Sequence, residues 1–179
     1  MKLDNKENQI TLLFEYIDYL NNIKGYSLNT TKSYKTDINQ YFEFIDNKNK
    51  KYYEVGEFVK YLNKTNYAKS SINRKIASIN NFFEWYEENN KLEKIKFIKT
   101  KYIKQDKKLP DVLTSSYINR LLSNLPVDNP KNVRDRTIIE LLYSSGLRVS
   151  ELTNLKINDF KKNKSIKVLG KGNKTRILP

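Results

Sequence analysis

Apolar residues in the first half of the chain recur three or four positions apart, which is the spacing of one face of an α-helix. Gly25 separates the first apolar stretch from the second and is expected to end the first helix. Asn29 or Thr30 is expected to cap the second helix. The pattern predicts four amphipathic helices, over residues 8–24, 27–45, 54–64 and 70–88.

The predicted inward faces are rich in aromatic and branched side chains. In the first helix this face carries Ile10, Leu13, Phe14, Ile17 and Leu20. In the second helix it carries Tyr34, Ile38, Tyr41, Phe42 and Ile45, and in the fourth Ile72, Ile76, Ile79, Phe83 and Tyr86.

The opposite faces of the second and fourth helices mix cationic side chains with short polar ones. Such a face suits a DNA groove, where cations contact phosphates and amides or hydroxyls contact base edges. The alternative is the solvated face of a helical bundle. The candidate DNA-binding residues are Thr31, Lys32 and Lys35 on the second helix, and Asn73, Arg74 and Lys75 on the fourth.

Residues 91–110 show no clean period and contain eight lysines against two acidic residues. Pro110 prevents a helix from continuing through their end. The composition predicts a basic linker that crosses a phosphate backbone, with Lys101, Lys104 and Lys107 among its contacts. A solvated linker without a partner is the alternative.

A second domain is predicted from residue 111. Thr114 is placed to cap one helix, and a second helix is expected over residues 132–143. After Leu155 the pattern changes to period two, which predicts a β-hairpin with strands at residues 165–169 and 175–178 and a tight turn at residues 170–173.

The segment that joins the second helix of this domain to the next one carries the candidate chemistry. Gly146 tolerates the positive φ that ends a helix. Arg148 is expected in the first turn of the following short helix, with Glu151 three residues later on the same face. A guanidinium held at a rigid corner suits a phosphate, because its planar fork donates two parallel hydrogen bonds. The alternative is an ordinary surface ion pair.

Composition excludes several classes of site. The sequence has no cysteine, so it forms neither disulfides nor thiolate metal sites, and it has no histidine. No cofactor or metal is expected. Apolar runs are too short for a membrane span and the N-terminus lacks a signal peptide, which predicts a cytoplasmic protein.

The net charge of +14 is unevenly distributed. Residues 1–90 carry 13 basic and 12 acidic side chains, whereas residues 91–179 carry 21 basic and 8 acidic ones. A localised basic excess points to a polyanion, most often nucleic acid. AT-rich coding bias would explain many lysines, but it does not explain why acidic residues balance them in one half only.

Several motifs together resemble the tyrosine site-specific recombinases, most closely the Xer-type and related phage-integrase enzymes. The match covers essentially the whole chain, and its second half is the more specific. The motifs are Ser27-x-Asn29-Thr30-x3-Tyr34-x2-Asp37, Ser71-Ile72-Asn73-Arg74, Leu109-Pro110-x-Val112-Leu113-Thr114, Arg134-Asp135-Arg136-x8-Ser144-Ser145-Gly146-Leu147-Arg148-x-Ser150-Glu151-Leu152 and Gly170-Lys171-Gly172-Asn173-Lys174-x-Arg176-x-x-Pro179.

The resemblance implies a fold class and a domain organisation. The fold is expected to be mainly α, with an N-terminal four-helix SAM-like core-binding bundle, followed by the start of a mixed α+β catalytic domain that contains a small antiparallel β-hairpin. The expected limits are residues 1–90 for the DNA-binding domain, 91–110 for the linker and 111–179 for the catalytic part.

It also implies site-specific recombination through a 3′-phosphotyrosyl intermediate. Arg148 matches the first catalytic arginine of the family and would stabilise negative charge on the phosphate. Lys171 matches the catalytic lysine, a general acid for the departing 5′ oxygen, with Lys174 as a nearby competitor. Glu151 would support the corner, and Lys174 and Arg176 are expected to contact DNA. The expected partners are a double-stranded recombination site and, for the full-length enzyme, further copies in a tetramer.

The sequence lacks the second half of the active site that the family uses. The family needs a His-x-x-Arg helix and a C-terminal nucleophilic tyrosine, which residues 1–179 do not provide. We therefore expect the chain to bind DNA without cleaving it, either as part of a complete recombinase or as a short decoy or architectural factor. An unrelated helical regulator is disfavoured by the Gly-Lys-Gly hairpin. Xer-like chromosome-dimer resolution is the expected role, and a mobile-element integrase is the alternative.

Overall fold

The computed structural model divides the chain into two compact units, residues 1–107 and 108–179. It describes residues 5–48, 55–89, 97, 99–104, 111–162, 164–170 and 174–178.

The first unit is helical, as the apolar spacing predicts. A π-helical turn follows the first helix, and Gly25 then adopts a φ of 64°. The described helices are α1 (Lys6–Asp18, continued by the π turn Tyr19–Ile23), α2 (Leu28–Lys48), α3 (Val55–Lys64) and α4 (Lys69–Asn89).

Aromatic residues fill the core of this unit. The ring of Tyr41 lies 5.3 Å from that of Phe58, and Tyr16 lies 5.3 Å from Phe82, both in edge-on arrangements. Edge-to-face pairs place the positive rim of one ring against the negative face of the other. Because all four helices contribute rings to one cluster, the packing of the rings fixes which face of each helix is buried.

The buried face of α1 differs from the predicted one. Leu13 and Leu20 are buried as predicted, but Ile10 and Phe14 are exposed, and Leu12 and Tyr16 face the core in their place. Both sets have helical spacing, so the pattern alone cannot choose between stripes that are a fraction of a turn apart. The ammonium of Lys35 lies 4.6 Å from the centre of the exposed Phe14 ring.

The start of α2 also differs. The expected caps Asn29 and Thr30 lie inside the helix, and the cap hydrogen bond is made by Ser27, whose hydroxyl accepts from the Thr30 N–H at 3.3 Å. The predicted caps are therefore wrong by two or three positions, within a run of polar residues that are all competent to cap.

The described residues of the second unit form three α-helices and a two-stranded antiparallel sheet. Thr114 caps the first helix as predicted, accepting from the N–H of Tyr117 at 3.3 Å, and Asn129 caps the next. The elements are α5 (Ser115–Asn124), α6 (Pro130–Ser145), α7 (Val149–Leu152), a 3-10 turn (Ile157–Asp159), β1 (Ile166–Leu169) and β2 (Thr175–Leu178).

The antiparallel pairing of the two predicted strands is confirmed, with Val168 opposite Arg176 and Leu169 opposite Thr175, and residues 171–173 of the predicted turn lie outside the described residues. Leu147, Ile166 and Val168 form the small buried core of this unit. The apolar residues Ile138, Ile139, Leu141 and Leu142 of α6 are only half-buried. The fold class, a helical SAM-like domain followed by a mixed unit with a small sheet, is confirmed.

Candidate phosphate-binding corner and DNA-binding surface

The corner after α6 forms as the sequence predicts, with one difference. Gly146 has a φ of 61°, and its N–H donates to the Leu142 carbonyl at 3.2 Å. Leu147 is buried, which anchors the turn in the core. Arg148 was expected within the first turn of the next helix, but it has extended backbone angles and is the residue that precedes α7.

Glu151 is the centre of the corner. Its Oε2 accepts from the backbone N–H of Arg148 at 2.8 Å, and its Oε1 accepts from Nη1 of Arg148 at 2.8 Å. Arg176 on β2 donates from Nη1 to Oε1 and from Nη2 to Oε2, both at 2.9 Å. The predicted pair of Arg148 and Glu151 is therefore part of a three-residue cluster.

These contacts set the charge state of Glu151. The backbone N–H of Arg148, and then the guanidinium groups of Arg176 and Arg148, lower the pKa of Glu151 to about 2, although burial opposes the shift. The carboxylate is 5% exposed, whereas the Arg148 side chain is 64% exposed. The buried Glu151 carboxylate therefore holds the guanidinium of Arg148 at the surface.

The hairpin residues are only partly described. The predicted general acid Lys171 lies outside the described residues. Lys174 is exposed and stays a candidate DNA contact. Arg176 was expected to face DNA, but both of its Nη atoms are bonded to Glu151, because the register of the hairpin brings it to the corner.

A second charged cluster lies inside the first unit. Asp37 is fully buried on α2 and accepts from Nζ of Lys75 at 2.8 Å and from the Ser78 hydroxyl at 3.0 Å. Nη1 of Arg74 also donates to Asp37. We did not predict that Asp37 would be a buried partner of these cations. Its position three residues after Tyr34 nevertheless places it on the apolar stripe.

This cluster corrects the predicted DNA-binding face of α4. Lys75 is only 4% exposed, because its charge is paired with Asp37 in the interior. Arg74 is half-exposed while bonded to the same carboxylate. Lys75 is therefore not at the surface. The side chain of Arg74 does reach the surface, while its guanidinium stays bonded to Asp37.

The predicted face of α2 is divided in a similar way. Thr31 is 2% exposed, and its hydroxyl donates to the Leu28 carbonyl within the helix, so this structure does not present it at the surface for DNA. Lys32 is exposed and Lys35 is partly exposed. These two lysines remain candidates.

The basic segment (residues 99–104) is fixed to α4 by two asparagines. The side chain of Asn73 accepts from the N–H of Ile103 at 2.7 Å and donates to its carbonyl at 2.8 Å. Asn80 makes the same two contacts with Thr100, each at 3.1 Å. Asn73 was expected to reach DNA, but these backbone groups occupy its amide.

The basic segment thus belongs to the first unit, and its lysines alternate with anchored residues. Lys101 and Lys104 are exposed, while Thr100 and Ile103 are half-buried. Lys107 lies outside the described residues. The limits of the linker, residues 91–110, stay a prediction. Part of this stretch is nevertheless held in place by its hydrogen bonds to α4.

Two further classes of site are not formed by the part of the chain that the structure describes. Within it, carboxylates do not gather in groups of three that could hold a metal ion. Nor does any helix there have the length and apolar character needed to cross a membrane.

Comparison with known proteins identifies the class. Residues 13–90 match the family model described as "Phage integrase, N-terminal SAM-like domain", and residues 111–179 match that of the "Phage integrase family". The chain therefore belongs to the phage integrase family of tyrosine recombinases.

Similar proteins are Xer recombinases. Tyrosine recombinase XerC of Staphylococcus epidermidis is 33% identical over 163 residues, which are 87% of this chain and 55% of the relative. XerC of Staphylococcus aureus is 33% identical over 171 residues, 90% of this chain and 57% of the relative. The chain thus spans little more than half the length of these curated relatives.

The fold is also similar to a solved structure, that of the XerH site-specific recombinase bound to difH substrate in a pre-cleavage complex. The two chains align with a TM-score of 0.63 and 18% identity, covering 97% of this chain and 58% of XerH. At this identity the likeness supports the fold.

Proposed function

We propose that this protein acts in site-specific DNA recombination, in which a tyrosine attacks a DNA phosphodiester and forms a 3′-phosphotyrosyl link. Residues 1–179 supply a DNA-binding domain and the phosphate-binding corner of the catalytic domain. The observation that carries the proposal is the exposed Arg148 guanidinium held on the buried Glu151 carboxylate.

The corner suits a phosphate in the transition state. Negative charge develops on the non-bridging oxygens during attack, and fixed cationic donors stabilise that charge without reorganising. Arg148 offers such donors from a backbone position that Gly146 and α7 define. Glu151 orients the guanidinium and does not itself contact DNA.

Lys171 is proposed as the general acid that protonates the departing 5′ oxygen. Its support is the sequence motif that places it between Gly170 and Gly172 at the tip of the hairpin. Lys174, on the same hairpin, is the competing candidate for this role.

DNA binding is proposed for both units. In the first, the exposed Lys32, Lys101 and Lys104, together with the partly exposed Lys35, present cations without a buried partner carboxylate among the described residues. The net charge of +14 supports a polyanionic partner. The further candidates are Arg74, Lys107 and Lys174.

The XerC relatives favour a Xer-like role, the resolution of chromosome dimers at a fixed duplex site by four recombinase subunits. XerH, the structural neighbour, was solved on its difH substrate. A mobile-element integrase would bind a different site by the same chemistry, so the DNA sequence selected by the protein distinguishes the two roles.

The first test uses residues 1–179 and a pool of random DNA duplexes. After rounds of binding and recovery, we expect one enriched sequence, and the logarithm of its binding constant should fall against log[salt] with a slope of about −0.9 per phosphate contacted. Affinity that does not depend on salt, or a pool without enrichment, would contradict the proposal.

The second test uses the protein made from its complete gene. A duplex that carries the selected site and a nick near the scissile phosphate should trap a covalent protein–DNA complex. Arg148→Ala should remove this complex, while the variant still binds the selected site with a salt slope lower by about one. Tight, specific binding without a covalent complex would instead identify a DNA-binding factor that lacks recombinase chemistry.

A further inference from the structure

Glu151 uses its full hydrogen-bonding capacity within the corner. A carboxylate has two oxygens and about four lone-pair sites, and all four accept hydrogen bonds here. Two come from Arg148, through its backbone N–H and Nη1, and two come from Arg176, through Nη1 and Nη2. The two arginines therefore share one anion.

They share it unequally. Arg176 binds both oxygens of the carboxylate with its Nη atoms, in the bidentate geometry that makes such pairs strong. Among the described residues, the Arg148 guanidinium has a single hydrogen bond, from Nη1 to Oε1. A guanidinium has five N–H donors, so four donors of Arg148 are left for another acceptor.

We infer that Arg176 is a positioning residue, which occupies the Glu151 carboxylate so that the guanidinium fork of Arg148 stays available for a DNA phosphate. This inference rests on the proposed function, because it assigns the phosphate to Arg148. It gives Arg176 a role different from the direct DNA contact that the sequence suggested.

The neighbourhood of Arg176 supports an internal role. Its side chain is 36% exposed, against 64% for Arg148. A Cβ atom on Gly170 would lie 3.3 Å from Nη1 of Arg176 and 3.5 Å from Oε1 of Glu151. The absence of a side chain at position 170 therefore gives the bidentate pair its room.

Removing Arg176 would free two acceptor sites on Glu151. The nearest cation is Arg148, which is already attached through one Nη1 bond. Glu151 would then form a bidentate pair with Arg148 and compete with the phosphate for the same fork. The weaker contact between Arg148 and the phosphate would mainly raise the energy of the transition state, where the phosphate carries most negative charge.

The main experiment compares variants of the protein from its complete gene on a nicked duplex that contains its site. Single-turnover cleavage and DNA affinity are measured separately for Arg176→Gln, Arg176→Lys and Glu151→Gln. Arg120→Gln, which removes an exposed arginine of the same unit, is the matched control.

We expect Arg176→Gln to slow cleavage by roughly tenfold or more, while DNA affinity falls by a much smaller factor. Arg176→Lys should restore little, because an ammonium cannot bridge both oxygens. Combining Arg176→Gln with Glu151→Gln should slow cleavage no more than the slower single variant, because the two residues act through one contact. Arg120→Gln should cleave like the wild type.

A second measurement on residues 1–179 does not depend on cleavage. The side-chain N–H resonances of Arg148 are followed by NMR, with and without a duplex that carries the selected site. In Arg176→Gln, these resonances should already be shifted in the free protein, and their response to DNA should be smaller than in the wild type.

The outcomes separate the inference from the proposed function. A wild-type protein that never cleaves contradicts the proposed function, and the NMR measurement then decides the inference. Arg148 resonances that are the same in both proteins, or full restoration of cleavage by Arg176→Lys, would each overturn the inference.

Discussion

Asn73 on α4 hydrogen-bonds through its side chain to both backbone groups of Ile103, in the way that a neighbouring β-strand would. Asn80 does the same for Thr100, seven residues or about two helical turns further along. The two asparagines thus give one edge of α4 a set of hydrogen bonds to an extended segment, like those between paired β-strands. We call these four hydrogen bonds the ladder. Lys101 and Lys104 are thereby presented at the surface with a fixed backbone.

The first prediction concerns this ladder. Replacing Asn73 and Asn80 together by Ala should release the basic segment and lower the free energy of unfolding of the first unit by about 2–6 kcal/mol, at 0.5–1.5 kcal/mol for each of four hydrogen bonds. Urea denaturation measures the loss. Hydrogen exchange at the amides of Thr100 and Ile103 should accelerate.

Asn89→Ala is the matched control for the ladder, because the Asn89 side chain bonds only to Trp85 of its own helix among the described residues. It should leave exchange at Thr100 and Ile103 unchanged. If the double variant exchanges these two amides no faster than Asn89→Ala does, the asparagines do not hold the segment.

The helices themselves could be predicted from the sequence because burial repeats with the period of the backbone. The stripe of α2 that contains Ile38, Tyr41 and Ile45 is buried as predicted. The stripe of α1 was misplaced only at Ile10 and Phe14, whose positions compete with those of Leu12 and Tyr16 at equivalent spacing. Only packing against the other helices decides between them.

The DNA-binding face was the less predictable part, for a physical reason. A helical-wheel argument assigns Lys75 and Thr31 to the surface because they are polar, but a buried cation is stable when a buried anion faces it. Asp37, on the apolar stripe of α2, was the available signal. Its partners lie 37 to 41 residues away, at a distance that local patterns do not cover.

At the corner, too, some contacts could be predicted from the sequence and others could not. The pairing of Arg148 with Glu151 follows from a three-residue spacing, and the positive φ of Gly146 follows from its residue type. Arg176 joins them from 25 residues beyond Glu151, and its contact depends on the register of the hairpin. The sequence motif indicated that these residues belong to one site without indicating which contacts which.

The second prediction concerns Asp37. Replacing it by Ala leaves Lys75 buried without its anion, so the free energy of unfolding should fall by about 3–5 kcal/mol. Urea denaturation measures the loss. Asp18→Ala, at an exposed carboxylate of α1, should change stability by less than about 0.5 kcal/mol. Equal losses in the two variants would show that the buried cluster contributes nothing specific.

The third prediction concerns pH. Glu151 has a folded-state pKa of about 2, below the ordinary value of 4.5. Because folding favours the charged carboxylate, its contribution to stability is complete above pH 4.5 and is lost as the pH falls from 4.5 towards 2. Thermal unfolding of residues 1–179, followed between pH 6 and pH 2, should show this loss.

Glu151→Gln isolates this contribution, because glutamine does not titrate. The difference in melting temperature between the wild type and this variant should be constant above pH 4.5 and should shrink below it. A difference that stays constant down to pH 2 would show that the arginines do not stabilise the charged form of Glu151.

The fourth prediction concerns the backbone at Gly146. Its φ of 61° is unfavourable for a residue with a Cβ atom, so Gly146→Ala should lower the free energy of unfolding of the second unit by about 1–2 kcal/mol. Apart from the two neighbouring residues in the chain, no described residue has an atom within 4 Å of the position of the added Cβ, so the loss would come from the backbone and not from a clash. Gly146→Asn is the matched variant, since asparagine tolerates the left-handed region better than alanine does. It should retain more stability than alanine in urea denaturation, and a larger loss with asparagine would contradict the left-handed conformation at this corner.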